Sequence, residues 1–344
     1  MAVFFTGKSK LKTDFPLLNF EQMLKDTHHR IHDYLRISLT DNCNFRCTYC
    51  MPEESISLMP PQKLMQTDEI FSIAEVFTSL GVKKIRLTGG EPLVRKDFTA
   101  VVERLSMLPV QLTLTTNGML LDRYKTTLQE FGIQSVNISL DTLDPVKFLQ
   151  ITQRDQFQKV WNNILMCLDQ GIYVKLNIVL IKGFNDDEVF DFIDLTKSLP
   201  LHLRFIEFMP FDKNEWHKDK VVHNRIVLEA VTQQYALFKL RDGKNDTDTK
   251  FGILGHTGTV SFISSLSHSF CSSCNRMRLT ADGKMKNCLF GAEEFDILGA
   301  FRNGENIVPV IERCLMKKHK MLGGQFDDYT LSLIHISEPT RPLY

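Results

Sequence analysis

Two groups of cysteines carry the most specific chemical signal in the chain. Cys43-Asn-Phe-Arg-Cys47-Thr-Tyr-Cys50 has the spacing C-x3-C-x2-C, and Cys271-Ser-Ser-Cys274 followed by Cys288 has the spacing C-x2-C-x13-C. Three thiolates on one short loop can hold three irons of a cubane [4Fe–4S] cluster, which ordinarily takes four cysteines. The fourth iron is then open, and an open metal position is a substrate position. The competing reading of the first group is a structural zinc completed by His28, His29 or His32, although zinc sites favour paired C-x2-C knuckles. For the second group the competitors are a structural zinc and a four-ligand cluster closed by Cys314. Cys167 and Cys314 themselves read as buried core residues. Arg276 and Arg278, at i and i+2 just after Cys274, offer a fork for a carboxylate or phosphate.

Such loops need a scaffold. Runs rich in Val, Ile, Leu and Thr predict strands at residues 34–40, 84–88, 111–115, 135–139, 173–179 and 202–208. Helical periodicity predicts helices at 67–80, 98–106, 124–131, 157–170 and 186–198, with Thr67 as an N-cap and Gly81 as a stop. Strand–helix alternation implies parallel strands joined by right-handed crossovers. A full eight-unit barrel takes about 250 residues, so six units predict an incomplete (βα)6 TIM-like barrel. A doubly wound sheet would carry a Gly-rich dinucleotide turn after its first strand. Here cysteines follow it. The expected organisation is a lead-in segment over 1–33 with a short helix near 20–26, then the barrel over 34–210. A small C-terminal α+β domain over 211–330 closes the open side, with a helix and loop over 211–234, a polar loop at 241–250 and a strand at 259–266. Asp282-Gly283 predicts a hairpin, and 312–321 a helix. The tail at 331–344 has no periodicity continuous with the rest and is expected to be non-native or disordered.

Composition narrows the class. Among 344 residues, 43% are hydrophobic and 24% charged, the balance of a globular protein. Lys plus Arg and Asp plus Glu each total 41, which favours neither nucleic acid nor an anionic membrane as partner. An anionic ligand must therefore meet a local basic pocket. Neither a membrane span nor a secretory signal is legible, so the expectation is a cytoplasmic enzyme. Of eight cysteines, six fall in the two triplets, which favours metal over a disulfide framework.

The first triplet with Tyr49 before its last cysteine, after YLRISLT, resembles the radical S-adenosylmethionine (SAM) superfamily. Gly89-Gly90-Glu91-Pro92 after the second strand strengthens the resemblance; in that family this turn contacts the methionine amino group, and glycine lets the backbone approach the ligand. With SFCSSCNRMRLTADGKMKNCLF, LTTNG, VNISLD and RFIEFMP, the chain from about 30 to 325 closely resembles the molybdenum cofactor biosynthesis protein A family, the GTP 3′,8-cyclases. The resemblance implies two [4Fe–4S] clusters, on Cys43, Cys47 and Cys50 and on Cys271, Cys274 and Cys288. It implies SAM contacts at Tyr49, Gly90, Ser139 and Met209. GTP contacts are implied at Arg36, Arg86, Thr115, Lys175, Arg276, Met277 and Arg278, with Lys84 and Arg204 as further triphosphate contacts; Arg276 and Arg278 count with the first triplet as catalytic.

The implied reaction is a lyase step of molybdenum cofactor biosynthesis. Reductive cleavage of SAM gives a 5′-deoxyadenosyl radical, which takes hydrogen from the ribose 3′ carbon; attack on guanine C8 and reduction give 3′,8-cyclo-7,8-dihydro-GTP. Implied partners are a reductant protein, the downstream cyclic pyranopterin monophosphate synthase accessory enzyme and a second copy in a homodimer. Family members end in Gly-Gly, whereas this sequence ends Arg341-Pro342-Leu343-Tyr344, and impaired cyclisation is the corresponding expectation. The alternatives are a radical SAM enzyme acting on a peptide, or a non-catalytic iron–sulfur module.

Overall fold

The computed structural model of the chain describes residues 23–51, 58–210, 214 and 216–325. Six strands, β1 (Tyr34–Ser38), β2 (Lys84–Thr88), β3 (Gln111–Thr116), β4 (Ser135–Ser139), β5 (Tyr173–Leu180) and β6 (His202–Glu207), alternate with helices α1 to α6. The helices are α1 (Thr67–Ser79), α2 (Phe98–Leu105), α3 (Lys125–Glu130), α4 (Pro145–Thr152), α5 (Phe157–Asp169) and α6 (Val189–Leu195). The strands pair in parallel in sequence order, as in a barrel and unlike a doubly wound sheet.

Sheet alternation sorts the side chains. On β1, Leu35 and Ile37 are fully buried in the core, while Tyr34, Arg36 and Ser38 point to the other face. On β5, Val174, Leu176 and Ile178 are buried and Lys175 and Asn177 face inward. The sheet curls, which brings Arg204 on β6 near Arg86 and Lys175 on β5 near Lys84, although both partners stand on the non-adjacent strand β2. Its concave face is therefore a polar lumen, with the apolar core between strands and helices.

The C-terminal portion contributes α7 (Asn224–Gln234), β7 (Leu237–Lys239), β8 (Thr249–Ile253), β9 (Thr259–Ile263), β10 (Arg276–Leu279), β11 (Lys284–Lys286), β12 (Phe295–Asp296), α8 (Ile297–Arg302) and α9 (Val308–Met316). Its strands extend the barrel sheet at both edges: β9 pairs in parallel with β6, and β10 in parallel with β1. The expected cover on the open side is thus continuous with the barrel wall. Asp282-Gly283 turns between antiparallel β10 and β11, with Gly283 at φ +71°.

Several local expectations are corrected. The N-cap of α1 is Gln66, in a capping box with Glu69, so Thr67 is already helical. Helix α4, capped by Asp144 with Pro145 at its first turn, is not among the helices expected from periodicity. The helix near 20–26 is not formed in its described part, where Lys25 bridges Ile31 in a tight turn; residues 20–22 lie outside the described residues. The last helix spans Val308–Met316 and ends five residues before the expected boundary. The expectation for 331–344 also lies outside the described residues. Among the described residues no helix is long and apolar enough to cross a membrane.

Candidate active site

Cys43, Cys47 and Cys50 lie on the loop after β1, at the C-terminal end of the parallel strands where barrel chemistry concentrates. The loop is held from below. Arg46 N donates to Thr152 O at 3.0 Å and Thr48 N to Ile151 O at 2.9 Å, so α4 anchors it. Phe45 packs edge-on against Phe148 of the same helix at 5.7 Å. Gly89 and Gly90 press against its base: a Cβ on Gly90 would stand 2.3 Å from Asn42 O. The approach of the cysteine loop's backbone requires glycine there.

Glu91 of the same turn is 1% exposed and accepts from Leu93 N (3.0 Å), Thr116 Oγ1 (2.7 Å) and Asn117 N (2.7 Å). Burial pushes its carboxyl up to about 7 against the pull of those donors. Asn117 passes the connection on, donating to Asn44 Oδ1 at 2.7 Å and approaching Cys43 Sγ at 3.8 Å. Tyr49 donates to Asp141 Oδ2 at 2.6 Å, and Val179 N to Asp141 Oδ1 at 2.8 Å. Asp141, pushed up to about 6 by burial, thus ties the cysteine loop to the ends of β4 and β5. Tyr49 also meets Phe208 edge-on at 6.4 Å, next to Met209 beyond β6. Ser139 ends β4 on the same rim. Gly90, Tyr49, Ser139 and Met209 therefore share one end of the barrel.

Below that rim the lumen is cationic. The registers Arg36↔Arg278 and Arg36↔Arg86 set three guanidiniums side by side on neighbouring strands. Desolvation, and then repulsion by Arg278, drives Arg36 down to about 9, and its buried Nε has no hydrogen-bond partner among the described residues. Arg86 donates to Tyr34 and, at 3.2 Å, to Thr115 Oγ1. Lys175 is pushed down to about 8 by desolvation and by Arg204. Lys84 and Arg276 open their strands and so stand at the far end of the lumen from the cysteine loop. Most of the cations thus line the interior and not the mouth. Met277 does not join them. It is fully buried opposite Leu35 in the core, because alternation on β10 sends its side chain away from Arg276 and Arg278.

Sequence reasoning missed Asp248. This carboxylate lies in the polar loop before β8, 3.3 Å from Arg204 Nε and 3.2 Å from His202 Nε2. Its only sequence signal was an acidic residue in a loop. Ser261 Oγ joins the pair at 3.1 Å from His202 Nε2, and Thr259 Oγ1 lies 2.6 Å from His202 Nδ1. Desolvation lowers the pKa of His202 below the ordinary value although Asp248 pulls the other way. A base whose folded pKa is lowered stays neutral while its unfolded counterpart takes a proton below about pH 6.5. Stability is therefore expected to fall as pH drops below that point. His202→Gln should flatten the fall by up to about 1.4 kcal/mol per pH unit in urea unfolding curves; an unchanged slope would contradict the assignment.

The second triplet sits at the opposite end. Cys271 and Cys274 precede β10, which runs parallel to β1, and Cys288 follows the antiparallel β11. Burial opposes ionisation of Cys274, but Arg276 and Lys318 outweigh it and bring the thiol down to about 7. Cys167 and Cys314 are fully buried in the core as expected, their thiols pushed up by burial to about 11 and about 12.

The donor sets suit iron–sulfur chemistry. At the first triplet burial raises all three thiols, so a cationic group is required to hold them as thiolates. Among the described residues no three His, Cys, Asp or Glu side chains converge on a single metal ion. His32, one of the zinc candidates, is instead committed to Asp26 at 3.0 Å. Cubane thiolates bind separate irons and need not converge on one point.

Comparisons with known proteins give the family of the chain. Residues 37–196 match the model of the Radical SAM superfamily, and residues 201–322 that of Molybdenum Cofactor Synthesis C. The GTP 3′,8-cyclase of Listeria monocytogenes is 40% identical, over 86% of this chain and 91% of its own length. The mitochondrial GTP 3′,8-cyclase of Arabidopsis thaliana is 44% identical, over 89% and 80%. Molybdenum cofactor biosynthesis protein 1 of Drosophila melanogaster is 42% identical over 90% of this chain but only 56% of its own, so the chain spans about half the length of such relatives. Among solved structures, Streptococcus suis SuiB shares the fold, with a TM-score of 0.61 at 14% identity over 88% of this chain and 69% of SuiB.

Proposed function

Because the chain belongs to the GTP 3′,8-cyclase family of radical SAM proteins, we propose that it converts GTP to 3′,8-cyclo-7,8-dihydro-GTP in molybdenum cofactor biosynthesis. One observation carries the reading: two cysteine triplets face each other along a lumen walled by Arg36, Lys84, Arg86, Lys175, Arg204, Arg276 and Arg278, in a protein of zero net charge. A triphosphate is the kind of ligand that offsets such a wall.

In this reading Cys43, Cys47 and Cys50 hold one [4Fe–4S] cluster and Cys271, Cys274 and Cys288 a second. When bound, the first supplies the electron that cleaves SAM to methionine and a 5′-deoxyadenosyl radical able to take hydrogen from the ribose 3′ carbon. The chain's own residues do the rest. The rim residues Gly90, Tyr49, Ser139 and Met209 orient SAM, and Asp141 fixes Tyr49 by accepting its hydroxyl proton in a hydrogen bond. Arg36, Arg86, Lys175 and Arg204, with Thr115, bind the triphosphate inside the wall. Arg276 and Arg278 orient the nucleotide beside the second triplet. Holding one C–H bond near the radical and excluding water converts a diffusive encounter into a directed one. The partners in this reading are a one-electron reductant protein, an enzyme consuming the cyclised nucleotide, and a second copy of the chain.

The deciding experiment is anaerobic. Reconstituted protein with dithionite and SAM should release 5′-deoxyadenosine at a rate that GTP strongly raises. Cleavage indifferent to GTP would discard the nucleotide substrate and favour a peptide. An iron-replete protein that cleaves no SAM would leave only a non-catalytic module.

A further inference from the structure

Lys318, in the segment after α9, is 4% exposed, although it is a lysine in a short connecting stretch. Lysine is rarely buried to that degree without a partner of opposite charge. Among the described residues no carboxylate forms an ion pair with it. Its Nζ donates to Arg276 O at 3.0 Å and to Asn287 O, the carbonyls two residues after Cys274 and immediately before Cys288. Burial holds its pKa below the ordinary lysine value, and the Cys274 and Cys288 sulfurs, when ionised, pull the other way. Asn287 is held in turn, donating from Nδ2 to Cys314 O at 2.8 Å.

A second buried group reaches the same place from the N-terminal turn. Arg30 pairs with Asp26 at 2.6 Å and donates to Cys271 O, Lys320 O and His319 O, each at 2.8 Å. Asp26 also holds His32. Backbone carbonyls around all three cysteines are therefore gripped by two cations, one from each end of the chain. A lysine whose role was only to tie two loops would gain nothing from proximity to thiolates, and a neutral hydrogen-bond donor would avoid the desolvation cost of a buried charge.

We propose that Lys318 is a positioning residue that also compensates charge at the second triplet, keeping Cys274 and Cys288 in place and favouring electron acceptance by a group bound there. The inference rests on the reading that this triplet holds an iron–sulfur cluster. Protein hydrogen bonding and charge near the sulfurs are established levers on cluster potential.

The test uses the full chain carrying Cys47→Ser, which removes the first site, so that the iron signal comes from the second. The midpoint potential is followed by low-temperature EPR during dithionite titration. Lys318→Met should make reduction about tenfold less favourable, a downward shift of about 59 mV for one electron, and Lys318→Arg should restore the parental value. Unchanged potential in Lys318→Met would overturn the proposal. If Lys318→Met binds no iron, retention by Lys318→Arg supports the positioning role, and loss in both variants overturns the charge assignment. If the parent itself holds no iron that Cys274→Ser removes, the cluster reading fails, and the inference with it. That outcome is visible before any Lys318 variant is made.

Discussion

Cys47→Ser is expected to abolish SAM cleavage, dropping 5′-deoxyadenosine formation by at least about 10⁶-fold, to the background rate. The reason is chemical and not structural. The contacts that shape the loop around Cys47 use its backbone: Cys47 O accepts from Cys50 N at 2.9 Å and from Met51 N at 2.8 Å. Arg46 and Thr48 on either side bond through their amides to α4. A serine fits this frame, but its hydroxyl does not ionise at neutral pH and cannot replace a thiolate as an iron ligand. Thermal unfolding should therefore stay near that of the parent, while iron falls by the content of one cluster and the second site keeps its own. GTP-stimulated cleavage surviving in this variant would refute the assignment of the first triplet.

Arg36→Met is expected to separate function from stability in opposite directions. Arg36 is flanked by Arg278 on one neighbouring strand and Arg86 on the other, and its buried Nε has no partner among the described residues. Such a charge is costly, and removing it should stabilise the empty protein by about 1–3 kcal/mol. The same change takes a preorganised cation from the lumen wall, and kcat/KM for GTP should fall roughly 10²–10³-fold. SAM cleavage without GTP should change little, because Arg36 lies below the rim that carries Gly90, Ser139 and Met209. Denaturant unfolding and GTP-dependent turnover together check both halves. A variant less stable than the parent would mean that an unrecognised partner satisfies Arg36.

How much of this was legible depended on the range of the interactions. The strands opening at Tyr34, Lys84, Gln111, Ser135, Tyr173 and His202 were readable to within a residue or two, because period-two alternation is local and each begins a run of β-branched and apolar residues. Helix α4 was not. Its signal was the Asp144-Pro145 start, an N-cap and first-turn proline rather than a long apolar stripe. That omission hid the platform on which the cysteine loop rests. Asp141 and Asn117 lay inside quoted motifs, yet their bonds to Tyr49 and Asn44 join residues 92 and 73 positions apart. No local pattern encodes such a pairing.

The sequence by itself determined which sulfur donors stand close along the chain, six cysteines in two triplets, and the strand–helix rhythm that had to carry them. Residue type and short spacing settle both. Tertiary structure alone decided that β10 lies beside β1, which brings Arg278 against Arg36 and turns Met277 into the core. It also decided that the triplets occupy opposite ends of one lumen, and that Lys318 and Arg30 close on the second of them. Those arrangements come from burying apolar faces across 200 and more residues of chain, a force without direction that leaves no periodic mark on the residues it brings together.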